Sequence, residues 1–218
     1  MDSNKTKASD EPKAQRSADV SRRALCAGVG GAVVAFGLGG LKLIPSTSVV
    51  RPPGGQNEDL LLAGCNRCMK CYEVCPRGVI VPAHIEDGIL TMRTPQMNFD
   101  EGYCDFCAQE NNGVPLCVQV CPSQALKLDE GATAQTTIIG KAELNTDLCL
   151  AYNLIGCRYC YDACPYDAME LDSNKRPKVK TNLCNGCGAC ESVCVSLTEG
   201  SIAIGATERA IVIRPLSD

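Results

Sequence analysis

Cys65-Asn66-Arg67-Cys68-Met69-Lys70-Cys71-Tyr72-Glu73-Val74-Cys75-Pro76 is the stretch that decides how this 218-residue chain is read. Its spacing, C-x2-C-x2-C-x3-C-P, is that of a loop wrapped around a [4Fe–4S] cluster. Three thiolates on one tight loop reach three corners of a cubane, while the fourth is aimed at a different cluster. The proline fixes φ and suits the first turn of a following helix, where an N–H would have no partner.

Working outward, the unit recurs. A second quartet, Cys104, Cys107, Cys117 and Cys121-Pro122, carries a nine-residue insert between its second and third cysteines. In the third, Cys149, Cys157, Cys160 and Cys164-Pro165, the insert falls between the first and second. The fourth, Cys184, Cys187, Cys190 and Cys194, returns to the regular spacing but has Val195 where proline is expected. Sixteen of the seventeen cysteines fall into these quartets, and every quartet ends C-x3-C.

Other chemistries fit this pattern poorly. A disulfide framework has no reason to repeat x2, x2, x3 before a proline. Zinc would use two C-x2-C pairs per site and leave the third and fourth cysteines of each quartet without a purpose. A [3Fe–4S] site would lack a ligand cysteine, and none is missing. The expectation is four [4Fe–4S] clusters held by these sixteen cysteines. Asn66, Gly186 and Gly188 are expected to offer backbone N–H groups to the sulfurs, and Gly188 to let the chain approach its cluster closely.

Composition agrees. There are six Tyr, three Phe and no Trp, too few large side chains for an ordinary core of this size. Residues 52–218 hold thirteen Lys+Arg against twenty-one Asp+Glu, a net of −8. That argues against nucleic-acid binding, which needs a basic face, and favours a partner with a basic one. The single histidine, His84, rules out a His-based dyad or Rieske site. No phosphate-cradling G-x-x-x-x-G-K-[ST] occurs, and Ser123, Ser192 and Ser196 sit in no recognisable nucleophile context. Lys175, Arg176, Lys178 and Lys180 read as a solvated basic strand edge or a docking patch.

Residues 1–51 hold eight Lys+Arg against four Asp+Glu. Within them, Arg22-Arg23 precedes an uncharged, glycine-rich run from Ala24 to Leu41, which reads as a twin-arginine export signal or an uncleaved anchor. Export of a folded chain allows the clusters to be inserted beforehand. Cys26 reads as a small apolar residue of this segment. Residues 1–45 are thus a polar leader and signal segment, 46–55 a Pro/Gly linker, and 56–218 the four-cluster body.

The fold class expected is α+β, a tandem of two bacterial-ferredoxin-like modules with two clusters each. Hairpins are expected from Ala125–Leu128 with 140–144, from Ala168–Leu171 with 177–180, and from Ser201–Ile204 with 210–213. Ile89–Met92 is expected to begin another arm. A short helix is expected after each Cys-Pro. Adjacent quartets pair most simply within a module, but a nested pairing of first with fourth and second with third stays open.

These features together resemble one family. The paired arginines, Arg51-Pro52-Pro53-Gly54, the Pro115-Leu116-Cys117 approach, the uneven third quartet with Cys160-Tyr161 and the proline-less Cys194-Val195 are similar to the periplasmic ferredoxin-type proteins of NapG type. The MauM type of methylamine utilisation is similar as well. The resemblance implies electron transfer without catalysis. It implies a membrane iron–sulfur quinol dehydrogenase of NapH type as donor, and a periplasmic molybdenum nitrate reductase as acceptor. It implies location in the periplasm or on the outer face of the cytoplasmic membrane. Two alternatives stand beside it, a tightly bound iron–sulfur β-type subunit of another molybdopterin oxidoreductase and a maturation factor whose clusters do not turn over.

Overall fold

Each cysteine loop winds into a single helical turn. The computed structural model describes residues 48–153 and 156–216; the expected leader, twin-arginine segment and Cys26 lie outside them. The C-x3-C spacing places the third cysteine of a quartet at the second position of a four-residue helix, and the fourth two residues beyond its end. The helices are α2 (Lys70–Glu73), α3 (Leu116–Gln119), α5 (Tyr159–Asp162) and α6 (Ala189–Ser192). In the two regular quartets the residue before the helix, Met69 or Gly188, is left-handed, with φ of 68° and 88°. The inserted quartets enter through Pro115 and Arg158, both at negative φ. Three further helices, α1 (Glu58–Gly64), α4 (Leu150–Asn153) and α7 (Glu199–Ala203), flank the loops.

The expected helix after each Cys-Pro is a turn instead. Gly78 N–H donates to Cys75 O at 3.1 Å, and Gln124 N–H to Cys121 O at 3.3 Å. Proline thus takes the second position of a turn. The fourth cysteine leaves its own loop, so the chain reverses there and the helix precedes it.

Among the described residues six short strands form three antiparallel pairs. β1 (Ile80–Pro82) pairs with β2 (Pro95–Met97). β4 (Met169–Leu171) pairs with β5 (Pro177–Val179) in the expected hairpin, Glu170 opposite Lys178. β3 (Lys141–Leu144) pairs with β6 (Ile211–Arg214) at the chain's end. Three expectations are thereby corrected. Ala125–Leu128 does not pair with 140–144: Lys127 N–H donates to Gly54 O at 3.0 Å, across the first two quartets. Ile89–Met92 is a turn in the β1–β2 connection, and residues 201–203 belong to α7.

One plan accounts for both halves. A hairpin lies between two successive quartets, and the chain before the first of them meets the chain after the second. In the first half the meeting is Gly54 with Lys127; in the second it is β3 with β6, where buried Ile211 and Ile213 give the longer pairing its apolar reason.

The stretch read as a linker is part of the body from Val50 on. Val50, Arg51, Pro52 and Pro53 are buried. Arg51 Nε donates to Glu58 Oε2 at 2.7 Å, and its Nη1 donates to Thr94 Oγ1 at 2.9 Å and Pro95 O at 2.8 Å. Prolines that discourage helix and sheet do not prevent burial when a neighbouring side chain meets the free carbonyls. The core combines Leu61, Val79, Phe99, Leu126, Ile139 and Ile211 with inward cysteines of all four quartets.

Candidate metal centres

The sixteen cysteines gather into four groups, each drawn from two quartets. Cys65, Cys68 and Cys71 share one cavity with Cys121, and we call this site I. Cys149, Cys157 and Cys160 share another with Cys194, site III. Site II brings Cys75 to Cys104, Cys107 and Cys117, whose thiols feel its charge. Site IV brings Cys164 to Cys187 and Cys190, beside Cys184. The fourth cysteine of every quartet therefore crosses to its neighbour. Adjacent quartets are paired, and the nested alternative falls.

All sixteen are free thiols, so the disulfide reading finds no support among the described residues. Burial pushes Cys71, Cys104, Cys160 and Cys187 up to about 12, and repulsion from neighbouring cysteines adds to it. Four such thiols can ionise together only around a cationic group. Among the described residues no three metal-ligating side chains converge closely enough to hold a single ion. Thiols lining a shared space without meeting at a point suit a polynuclear iron–sulfur group better than zinc.

Backbone amides reach the sulfurs from places the motifs did not indicate. Leu116 N–H donates to Cys107 Sγ at 3.5 Å, and Leu126 N–H to Cys121 Sγ at 3.4 Å. Hydrogen bonds to Cys121 from Leu126, Ser123 and Ala125 outweigh its burial and hold that thiol below its ordinary range. At the two glycines the structure shows what the missing side chain makes room for. A Cβ on Gly188 would lie 2.0 Å from Phe99 Cδ1, and one on Gly186 would lie 2.4 Å from Gly140 N. The glycines admit the Phe99 ring and the backbone that leads into β3.

The sites follow one another in a line. Cys71 of site I acts on Cys117 of site II, and Cys160 of site III acts on Cys190 of site IV. Between the halves, Cys104 N–H donates to Cys187 O at 2.8 Å, and the two thiols repel one another. Phe99 against Gly188 closes the same seam, while Gly140 against Gly186 and Ile139 N–H to Asn185 O at 2.8 Å fasten the approach to β3 onto the fourth quartet. Cys68 of site I is the one exposed cysteine among those described. Beside it Arg67 donates to the carbonyls of Met92 and Leu90, both at 2.9 Å, fastening the exposed Ile89, Leu90 and Met92 to the site I loop. Arg176, read as an edge charge, stands 5.3 Å over the Tyr152 ring.

Comparison with known proteins agrees with this division. Residues 57–126 match one family model described as a 4Fe-4S dicluster domain, and residues 155–197 match another of the same description. Ferredoxin-type protein NapG of Escherichia coli K12 is 31% identical, over 81% of this chain and 78% of its own length. Ferredoxin-type protein NapF of the same strain is 31% identical over 66% of the chain and 79% of its own. The methylamine utilization ferredoxin-type protein MauM of Paracoccus denitrificans is 30% identical over 81% and 84%. The chain belongs to the family of ferredoxin-type iron–sulfur electron carriers that includes NapG and MauM.

Proposed function

We propose that the sixteen cysteines of sites I–IV hold four [4Fe–4S] clusters and that single electrons pass along them in the order I–II–IV–III. The observation that carries this reading is the contact of Cys104 with Cys187, which joins the two inner sites across the seam. The clusters supply one-electron storage; the chain's own residues set distance, exclude water and direct N–H groups at the sulfurs. Sites I and III lie at the ends of the line, where donor and acceptor would dock. Likeness to NapG and the paired Arg22-Arg23 support an exported protein. On that reading it takes electrons from a membrane quinol dehydrogenase of NapH type and passes them toward a periplasmic molybdenum nitrate reductase.

Anaerobically purified protein is expected to hold about sixteen iron atoms, four per site. Replacing Cys75 by Ala should remove the cluster of site II while sparing that of site I, read by electron paramagnetic resonance. Loss at site I instead would overturn the crossing assignment, and a wild-type protein with far less iron would overturn the cofactor. Reduction by the membrane partner followed by reoxidation with nitrate reductase tests the pathway. Co-purification in fixed ratio with a large molybdenum subunit would favour the β-type-subunit reading.

A further inference from the structure

The two outer sites share a feature that the inner two lack. Two residues after each crossing cysteine the chain bends back past the site that cysteine serves. After Cys121 and Cys194, which cross to sites I and III, the residue there is Ser123 and Ser196. After Cys75 and Cys164, which cross to sites II and IV, it is Arg77 and Tyr166, and the Arg77 Nε donates to Asp105 Oδ2 at 2.8 Å. The Ser196 hydroxyl lies 3.2 Å from Cys194 Sγ, and that of Ser123 lies 3.8 Å from Cys121 Sγ.

Ser196 is held in place. It is buried, and Ala210 N–H donates to its oxygen at 2.6 Å. A serine hydroxyl has one proton to give, and two acceptors compete for it: Cys194 Sγ and Glu208 O, the latter at 3.3 Å. An O–H···O bond of that length is long against the usual value of about 2.7 Å. A ligating thiolate is also charged, and charge-assisted bonds are the stronger ones. The proton is therefore directed at sulfur.

We propose that Ser196, and more weakly Ser123, set the reduction potentials of the outer sites by donating a hydrogen bond to the crossing cysteine. This rests on the cluster assignment above. An electron arriving at site III increases the negative charge on the Cys194 sulfur, and a donated bond stabilises that added charge, so the potential rises. The proton stays on the serine oxygen throughout.

The test is a redox titration of the iron-loaded full-length protein, followed by electron paramagnetic resonance with iron and sulfide counted in each sample. Ser196→Ala should keep its iron and lower one midpoint by an amount equivalent to about a tenfold shift in the reduction equilibrium, about 59 mV for one electron. Ser196→Thr should restore it, and Ser123→Ala should lower a different midpoint by less. Full iron in Ser196→Ala with every midpoint unmoved overturns the proposal. If Ser196→Ala sheds its iron because the Ala210 bond is lost, Ser123→Ala decides, since Ser123 is exposed; unmoved midpoints there overturn the proposal too. Absence of iron from the wild-type protein would instead overturn the cluster assignment.

Discussion

Arg51 shows how much one residue outside the cysteine motifs carries. Its guanidinium is 4% exposed and joins α1, through Glu58, to Thr94 and the Pro95 carbonyl of β2. Removing it leaves a carbonyl and a carboxylate without their donors. Because Glu58 is itself 40% exposed, the cost falls below that of a fully buried pair. Arg51→Ala is expected to destabilise the iron-loaded protein by about 2–3 kcal/mol in urea denaturation. Arg51→Lys should not restore it, since an ammonium lacks the planar fork. Glu191 presents the opposite case. Burial raises its carboxyl above the ordinary range, although it accepts the Ile213 N–H at 2.6 Å. A carboxyl raised in the folded state favours folding when protonated, and that contribution is lost as pH rises through its folded pKa. Glu191→Gln should therefore melt at a higher temperature than wild type at neutral pH, and the difference should close in acid below the ordinary carboxyl range.

Among the elements, α6 is the piece that meets the first half, through the Phe99 ring at its first turn. Gly188 caps α6 at φ 88° and leaves room for the Phe99 ring, while Gly186 receives the backbone that leads into β3. Gly188→Ala meets both a left-handed backbone and a ring 2.0 Å away. It is expected to cost about 2–4 kcal/mol and to lower iron content at site IV first. The four quartets were legible in the sequence because each is a local pattern, but the destination of every crossing fourth cysteine, the neighbouring quartet's site, was not, since that depends on the fold. The β4–β5 hairpin, a local pattern too, was legible, its arms being separated only by a turn. Which strand pairs with β3 was not, because β6 lies far along the chain and Ile211-Val212-Ile213 fits any apolar partner. Gly188 carried a real signal, a residue forced into the left-handed region, but its neighbour Phe99 is supplied by the other half. Ser196 was visible only as a serine without nucleophile context; its meaning depends on Ala210, fourteen residues on.

For the whole molecule, cofactor and fold are one problem. Phe99 and Phe106 are the buried phenylalanines of the described body, and cysteines of every site sit in the core beside small aliphatic residues. Thiols held near 12 by burial must give up protons to bind iron, so metal binding and folding draw on the same free energy. Removing iron with a chelator under reducing conditions should abolish the cooperative thermal transition and leave a chain that digests readily at the loops. Iron-depleted protein that still melts cooperatively at the wild-type temperature would contradict this.

The pairing of β3 with β6 also imposes an order of completion. The first half is closed by Gly54 and Lys127, both present once little more than half the chain has been made. The second half waits for Ile211–Arg214, made long after Lys127. During synthesis, therefore, the chain presents one finished module and one open one until β6 has been made. A ribosome that stops before Ile211 releases a protein whose site III lacks the strand that lines it.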